Sequence, residues 1–490
     1  MAPIRILVCG SVAGLIAACT AQAADLPAKA TAPVEYVRVC TTYGEGFFYV
    51  PGTEGCLRIS ARARADYRYV EPFARAQDID GFRARGRVNL DYRTMTAYGM
   101  VRAYIRYEID RNSGVFTNTG QVTTNPKIQE AYVQFGGLTA GRVVSFFTNP
   151  NLPVPNFGDL RFDDPTNADV DLLAYTYSFG NGLSATLSIE DSLERRVNNT
   201  LAFPLFGSGA TTPVFAPIPF TYGGQRMPNI VGNVRYEQPW GGVQLSGALH
   251  QIRDVFAGVT TSGGVTVPVI NPITGLPNPT YAGTDYGFAF AFDAYANLPF
   301  LGAGDNAWIS MTYTDGAVGF LNAGQAGPIG PPAPGNGSIS AGPFSLPFTD
   351  AFVDPYTGKF KTNRAYSIAG GISHNWTSAW QTNVFGSWMR FDAPGSAQFV
   401  IPVTTATLAT GTAGTVTGIV DFNEYRIGTN TIWTPVTGLH LGAEVLYTRV
   451  DPRGRVPVSL TDAAGNATGF YKASSFGDFW EGRLRVQRDF

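Results

Sequence analysis

Few side chains in this 490-residue sequence have the types and spacing for bond-making chemistry. There are only three histidines, His250, His374 and His440, and none has a serine two positions on. A lipid hydrolase of the phospholipase type would need that pair on one strand, so the three read as ordinary strand or turn residues. No carboxylate pair stands out as an acid–base couple. No catalytic residue is assigned, and the expectation is that this is not an enzyme. Of four cysteines, Cys9 and Cys19 precede a candidate cleavage site, while Cys40 and Cys56 follow it. Two thiols without nearby histidine are too few to hold a metal. C-x-x-C spacing is absent, so a disulfide is the simplest reading of the pair. No cofactor is implied.

Charge placement says more. Arg62, Arg64, Arg83, Arg85, Arg87, Arg102 and Arg106 occupy one parity of three successive segments. Asp159, Asp163, Asp164 and Asp169 crowd the stretch 144–170, and Asp171 follows. An acidic segment facing an arginine wall creates a transverse field that orients dipolar solutes and filters ions by sign. The plainer alternative is that the aspartates only solvate a surface loop.

What must position these residues is a β-structure. Charged residues make up 15% of the chain and aromatics 13%, with 57 glycines, 33 phenylalanines and 23 tyrosines. Soluble domains carry about a quarter charged residues. The formal net charge of −2 offers no nucleic-acid footprint. Arg5, the apolar run Ile6 to Ala18 and Ala21-Gln22-Ala23 read as a secretory signal cleaved after residue 23. A looser lipoprotein-type box ends at Cys19, but the A-x-A site is cleaner. No other apolar stretch approaches the ~20 residues a membrane helix needs.

From residue 57 the pattern is strict alternation. Leu57, Ile59, Ala61, Ala63, Ala65, Tyr67 and Tyr69 interleave with Arg58, Ser60, Arg62, Arg64, Asp66 and Arg68. Successive side chains of a strand point to opposite faces, so such a strand separates an apolar environment from a wet one. Sixteen such strands are predicted near 57–69, 82–93, 97–109, 128–135, 138–143, 171–179, 182–191, 229–238, 242–251, 285–297, 306–313, 365–374, 379–391, 422–434, 438–449 and 478–490. Connections alternate between short turns, such as Thr94-Met95-Thr96 and Asn181-Gly182, and long segments. Long loops at one end and tight turns at the other are the mark of an outer-membrane barrel. Sixteen strands enclose an aqueous channel rather than a packed core, so water, not partners, is expected to solvate the inward arginines. The expectation is an all-β, sixteen-stranded antiparallel transmembrane β-barrel. Its organisation is a signal peptide over 1–23, a periplasmic N-terminal segment over 24–56 and the barrel over 57–490.

The residues also resemble a family, the alphaproteobacterial, rhizobial-type outer-membrane porins. Ala24-Asp25-Leu26-Pro27, the stretches Glu35 to Cys40 and Tyr43 to Thr53, and Cys56-Leu57-Arg58-Ile59 look like its N-terminal signature. Leu173 to Thr176 and Phe179 to Ser188 look like its region after the third loop, and Trp480 to Phe490 like its ending. The resemblance implies a homotrimer of water-filled channels in the bacterial outer membrane, passing small hydrophilic solutes and ions by passive diffusion. It implies a third loop, 144–170, folded inward over the pore, and a Cys40–Cys56 disulfide near the periplasmic end. Lipopolysaccharide and outer-membrane lipid are the expected surroundings. The terminal Phe490 resembles the signal read by the barrel-insertion machinery. Rival readings are a substrate-specific channel, which the inward tyrosines Tyr98, Tyr104 and Tyr132 are too few to establish, and an outer-membrane lipid hydrolase or adhesin.

Overall fold

The computed structural model describes residues 38–72, 78–117, 120–197, 222–253, 283–322, 344–353, 360–394, 421–453 and 476–490, with short strand pieces at 259–262, 265–268, 338–341, 403–404, 459–461 and 467–470. The expected signal peptide lies outside the described residues. Sixteen long strands form one sheet: β1 (Cys56–Val70), β2 (Asp80–Thr96), β3 (Gly99–Asn112), β4 (Thr123–Phe135), β5 (Leu138–Val144), β6 (Asp169–Gly180), β7 (Leu183–Glu190), β8 (Asn229–Gln238), β9 (Gly241–Arg253), β10 (Thr284–Asn297), β11 (Asn306–Asp315), β12 (Arg364–Asn375), β13 (Trp380–Asp392), β14 (Phe422–Val436), β15 (Leu439–Pro452) and β16 (Phe476–Asp489). Each pairs antiparallel with its sequence neighbours. β1 also pairs with β16, from Arg62 opposite Asp489 to Val70 opposite Glu481. Two backbone bonds complete the seam, Ala61 N–H to Phe490 O at 2.7 Å and Phe490 N–H to Ala61 O at 3.0 Å. The sheet is a closed barrel with no free edge.

Alternation sorts the faces as the sequence pattern requires. Ile59, Phe82, Val88, Ile105, Tyr175, Leu187, Phe290, Ile372, Ile427 and Leu484 are exposed on the outside, while Asp66, Asp91, Glu108, Glu424 and Glu481 are buried on the inside. A soluble protein would reverse this arrangement. Lipid on the outer surface explains it, because apolar side chains gain nothing from leaving water when water is not their neighbour.

The tight turns sit at one end of the barrel. Asn181 adopts φ 50°, the only non-glycine in the left-handed region among the described residues, and Gly182 follows at φ 80°. This is the primed turn that Asn-Gly favours, and a Cβ on Gly182 would meet the Glu237 carbonyl at 1.8 Å. The β2–β3 turn is displaced from expectation. It falls at Ala97-Tyr98, not Thr94-Met95-Thr96, because Thr94 and Thr96 extend the ladder to face Val101 and Gly99. Thr96 Oγ1 donates to Gly99 O at 2.8 Å and accepts from Tyr98 N–H at 3.2 Å, closing the turn two residues later. Tyr98 is consequently 86% exposed at the turn tip and does not belong to the inner wall, whereas Tyr104 and Tyr132 do, their rings tilted together with centroids 5.2 Å apart.

At this same end a short strand, Phe47–Tyr49, pairs with Cys56 to Arg58 at the start of β1. Cys40 and Cys56 are joined by a disulfide and pack with Phe47 into a small buried cluster. The bond spans 16 residues, and closing a loop of that size stabilises by about 3 kcal/mol through restriction of the unfolded chain. The β1–β16 seam does not depend on it. Cys40→Ser should therefore open the 40–55 segment to limited proteolysis while the barrel keeps its heat-modifiable migration on gels. Loss of the folded band in the variant would contradict that separation.

Candidate functional site

The inner faces of β1, β2 and β3 carry the predicted arginines, and closure of the barrel supplies partners that alternation could not reveal. Arg62 binds Asp489 of β16 at 2.5 Å. Arg85 binds Asp110 at 2.5 Å and Arg87 binds Glu108. Arg102 binds Asp91 at 3.0 Å and Arg106 binds Glu130. The same lacing continues with Arg68–Glu481 and Arg485–Asp66, both at 2.6 Å. The expectation that water alone would solvate the arginines is thus corrected. Most sit in charge-assisted hydrogen bonds to carboxylates on adjacent strands, which offsets their partial desolvation.

Two of them differ. Arg64 Nε donates to the neutral amide oxygen of Gln487 at 2.8 Å. Arg83 Nε donates to Asn112 Oδ1 at 2.9 Å, with its guanidinium 4.2 Å over the Phe116 ring. The register sets Arg62 opposite Arg87 and Arg64 opposite Arg85. Like charges facing across a ladder repel.

The connection between β5 and β6 holds the acidic stretch, and its contacts run along the polar face of the other wall. Asn233 of β8 and Gln244 of β9 donate to Phe146 O at 2.6 and 3.3 Å. Asn149 N–H donates to Asp293 of β10 at 3.2 Å. Phe162 packs tilted against Trp308 of β11, 5.0 Å between centroids. Arg161 N–H donates to Ser387 Oγ of β13 at 3.0 Å, and its side chain binds Glu424 of β14 at 2.9 Å. The N–H groups of Phe157 and Gly158 both donate to Glu444 of β15 at 2.5 Å, and Arg485 of β16 lies 4.2 Å over the Phe157 ring.

The five candidate aspartates therefore scatter. Asp159 is the exposed one of the three within the loop, its carbonyl taken by Arg426. Asp163 is buried in an ion pair with Arg195 at 2.5 Å and also accepts from Thr148. Asp164 is buried and accepts Thr166 N–H at 2.7 Å, and burial pushes its carboxyl up to about 6. Asp169 and Asp171 do not belong to the loop at all. Asp169 begins β6 and binds Gln129, while Asp171 stands opposite Arg142 on the outer face shared with the exposed Leu173 and Tyr175. The spacing of two that unites Asp169 and Asp171 is strand alternation, and it carries Asp171 outward. The loop anchors Arg161, Glu424, Glu444 and Arg195 had no local signal, since each acquires its role only by meeting a residue far along the chain.

An antiparallel barrel of this strand number, greasy outside and charged inside, defines a bacterial outer-membrane channel. The chain matches the porin subfamily over residues 25–475 and belongs to that family. It is similar to porin Omp2a of Brucella ovis, 33% identical over 260 residues that cover 49% of this chain and 68% of that one. It is equally similar to porin Omp2b of Brucella suis biovar 1, 33% over 250 residues covering 49% and 64%. The match thus spans about two thirds of these relatives. In three dimensions it shares its fold with the outer-membrane channel DcaP of Acinetobacter baumannii, at a TM-score of 0.54 and 12% identity over 90% of this chain and 99% of that one.

Glu444 gathers two loop N–H groups and the Asn430 amide. Removing such an acceptor leaves buried donors unpaired, at about 1–3 kcal/mol each. Glu444→Ala should leave the barrel folded and increase open-channel current noise in planar bilayers. Noise equal to that of the unmodified protein would show that the loop tip is held by other contacts.

Proposed function

We propose that this porin passes small hydrophilic solutes and ions by passive diffusion, with segment 145–168 as the inward-folded constriction and the β1–β3 arginines as the wall that faces it. The observation that carries this reading is one of placement. The segment's polar and aromatic contacts fall on β7 to β11 and β13 to β16, which leaves the wall with Arg62, Arg64, Arg83, Arg85, Arg87, Arg102 and Arg106 as the uncovered side. Asp159 is the loop carboxylate available to oppose them, because Asp163 is neutralised by Arg195. The field is lopsided toward positive, and anions are the favoured ions. The family is one of channels, and the chain is read as a conduit and not an enzyme. Assembly as a homotrimer, contact with lipopolysaccharide and outer-membrane lipid, and recognition of Phe490 by the insertion machinery complete the proposal. The exposed Phe490 ring is consistent with the last of these, since the seam uses only its backbone.

In a planar bilayer under a KCl gradient, the zero-current potential should have the sign of anion preference. Arg64→Gln with Arg83→Gln should move it toward zero, because these two arginines have only neutral hydrogen-bond acceptors among the described residues. A cation-selective channel would overturn the assignment of the wall, and a folded preparation without conductance would overturn the channel reading itself.

Acid should strengthen the preference. Asp164 is held up to about 6 by burial, so as pH falls through that value the loop loses a negative charge and the lumen becomes more positive. The shift between neutral pH and pH about 5 should shrink in Asp164→Asn. An identical pH response in the variant would assign the effect to other groups.

A further inference from the structure

The inside of a water-filled barrel should stay polar along its length, yet at the loop end of β13 to β16 it turns apolar. The inward residues there are Phe391, Phe422, Val450 and Phe479, all essentially without exposed surface. They are covered by the β11–β12 connection. Phe348 of that connection packs 5.4 Å from the Phe391 ring, which stacks in turn on Phe422. The 3-10 turn Val318–Leu321 belongs to the same buried cluster through Val318 and Leu321. On its other side Phe320 meets Phe147 of the third loop edge-on at 4.9 Å and lies under the Arg195 guanidinium at 4.9 Å.

The described residues 316–322 and 348–352 of this connection are buried between the barrel wall and the third loop, which puts these pieces inside the barrel and not across its rim. The contacts that hold them are specific. The Asp350 carboxylate accepts from Val197 N–H at 2.8 Å, Val318 N–H at 2.6 Å and Tyr222 O–H at 2.6 Å. Tyr222 O also meets His250 Nε2 of β9 at 2.8 Å. One side chain thus gathers three loop segments, and Tyr222 ties them to the wall. The Arg195–Asp163 pair fastens the same body to the third loop. The backbones approach so closely that a Cβ on Gly319 would meet Arg195 O at 2.1 Å. Unexposed apolar side chains gathered around one carboxylate make a packed core, and cores resist deformation.

We propose that segments 192–197, 317–321 and 348–352 form, with the third loop, one internal plug that sets the size limit of the channel. Solutes are confined to the crescent between the plug and the arginine wall, so small anions pass and bulky neutral sugars are excluded. This rests on the porin reading given above. The test compares the unmodified protein with Asp350→Ala and Phe320→Ala, in planar bilayers and in liposomes swollen by neutral sugars of increasing size. Both variants should raise single-channel conductance by about twofold or more, as a wider aqueous cross-section requires. Both should admit sugars that the unmodified channel excludes, with the sign of the zero-current potential unchanged because the arginines are untouched. Unaltered conductance and size limit in folded variants would overturn the plug. Absence of conductance in the unmodified protein would instead overturn the porin reading. Should Asp350→Ala yield no heat-modifiable barrel, Phe320→Ala, which removes packing but no hydrogen bond, decides by the same two readouts.

Discussion

Everything in this molecule depends on one constraint, that backbone N–H and C=O groups surrounded by lipid must find partners within the protein. A sheet meets it only by closing, and the β1–β16 seam, ending in the reciprocal bonds between Ala61 and Phe490, is where closure happens. Closure at sixteen strands leaves an interior too wide for side chains to fill. The charges that line it are a consequence of that width.

Charge inside a barrel is not simply exposed to water. Most arginines of β1 to β3 are laced to carboxylates on neighbouring strands, and only Arg64 and Arg83 of the named seven have neutral amides as their hydrogen-bond acceptors among the described residues. Buried pairs such as Arg195–Asp163 and Arg161–Glu424 contribute little net stability, because desolvating both ions roughly offsets their attraction. What they contribute is position. Either partner alone would be a costly buried charge, so each loop is held to one place on the wall.

The apolar patch inside the loop end follows the same logic with opposite chemistry. Phe391, Phe422 and Phe479 would be unfavourable in an open aqueous mouth. Their burial under Phe348 and Phe352 turns part of the lumen into an ordinary core, on which loop segments dock as secondary elements dock in a soluble domain. On the proposed reading the channel combines a wet half lined by arginine with a dry half built from loops.

Alternation is a local property, and all sixteen strands, their faces and the alternation of long and short connections could be read from it. Asn181-Gly182 announced its turn because two adjacent residues suffice to favour a left-handed backbone. The local pattern failed where a second strand had a say. The β2–β3 turn moved two residues because Thr94 and Thr96 found ladder partners, and Asp169 left the acidic loop because its strand starts two residues earlier than alternation suggested. The partners of Arg62, Arg87 and Arg106, the anchoring of the third loop by Glu424 and Glu444, and the gathering of three loop segments by Asp350 join residues widely separated in sequence. Periodicity records which medium a side chain faces. Which other side chain it meets there is decided only when the barrel closes and the loops fall onto its walls.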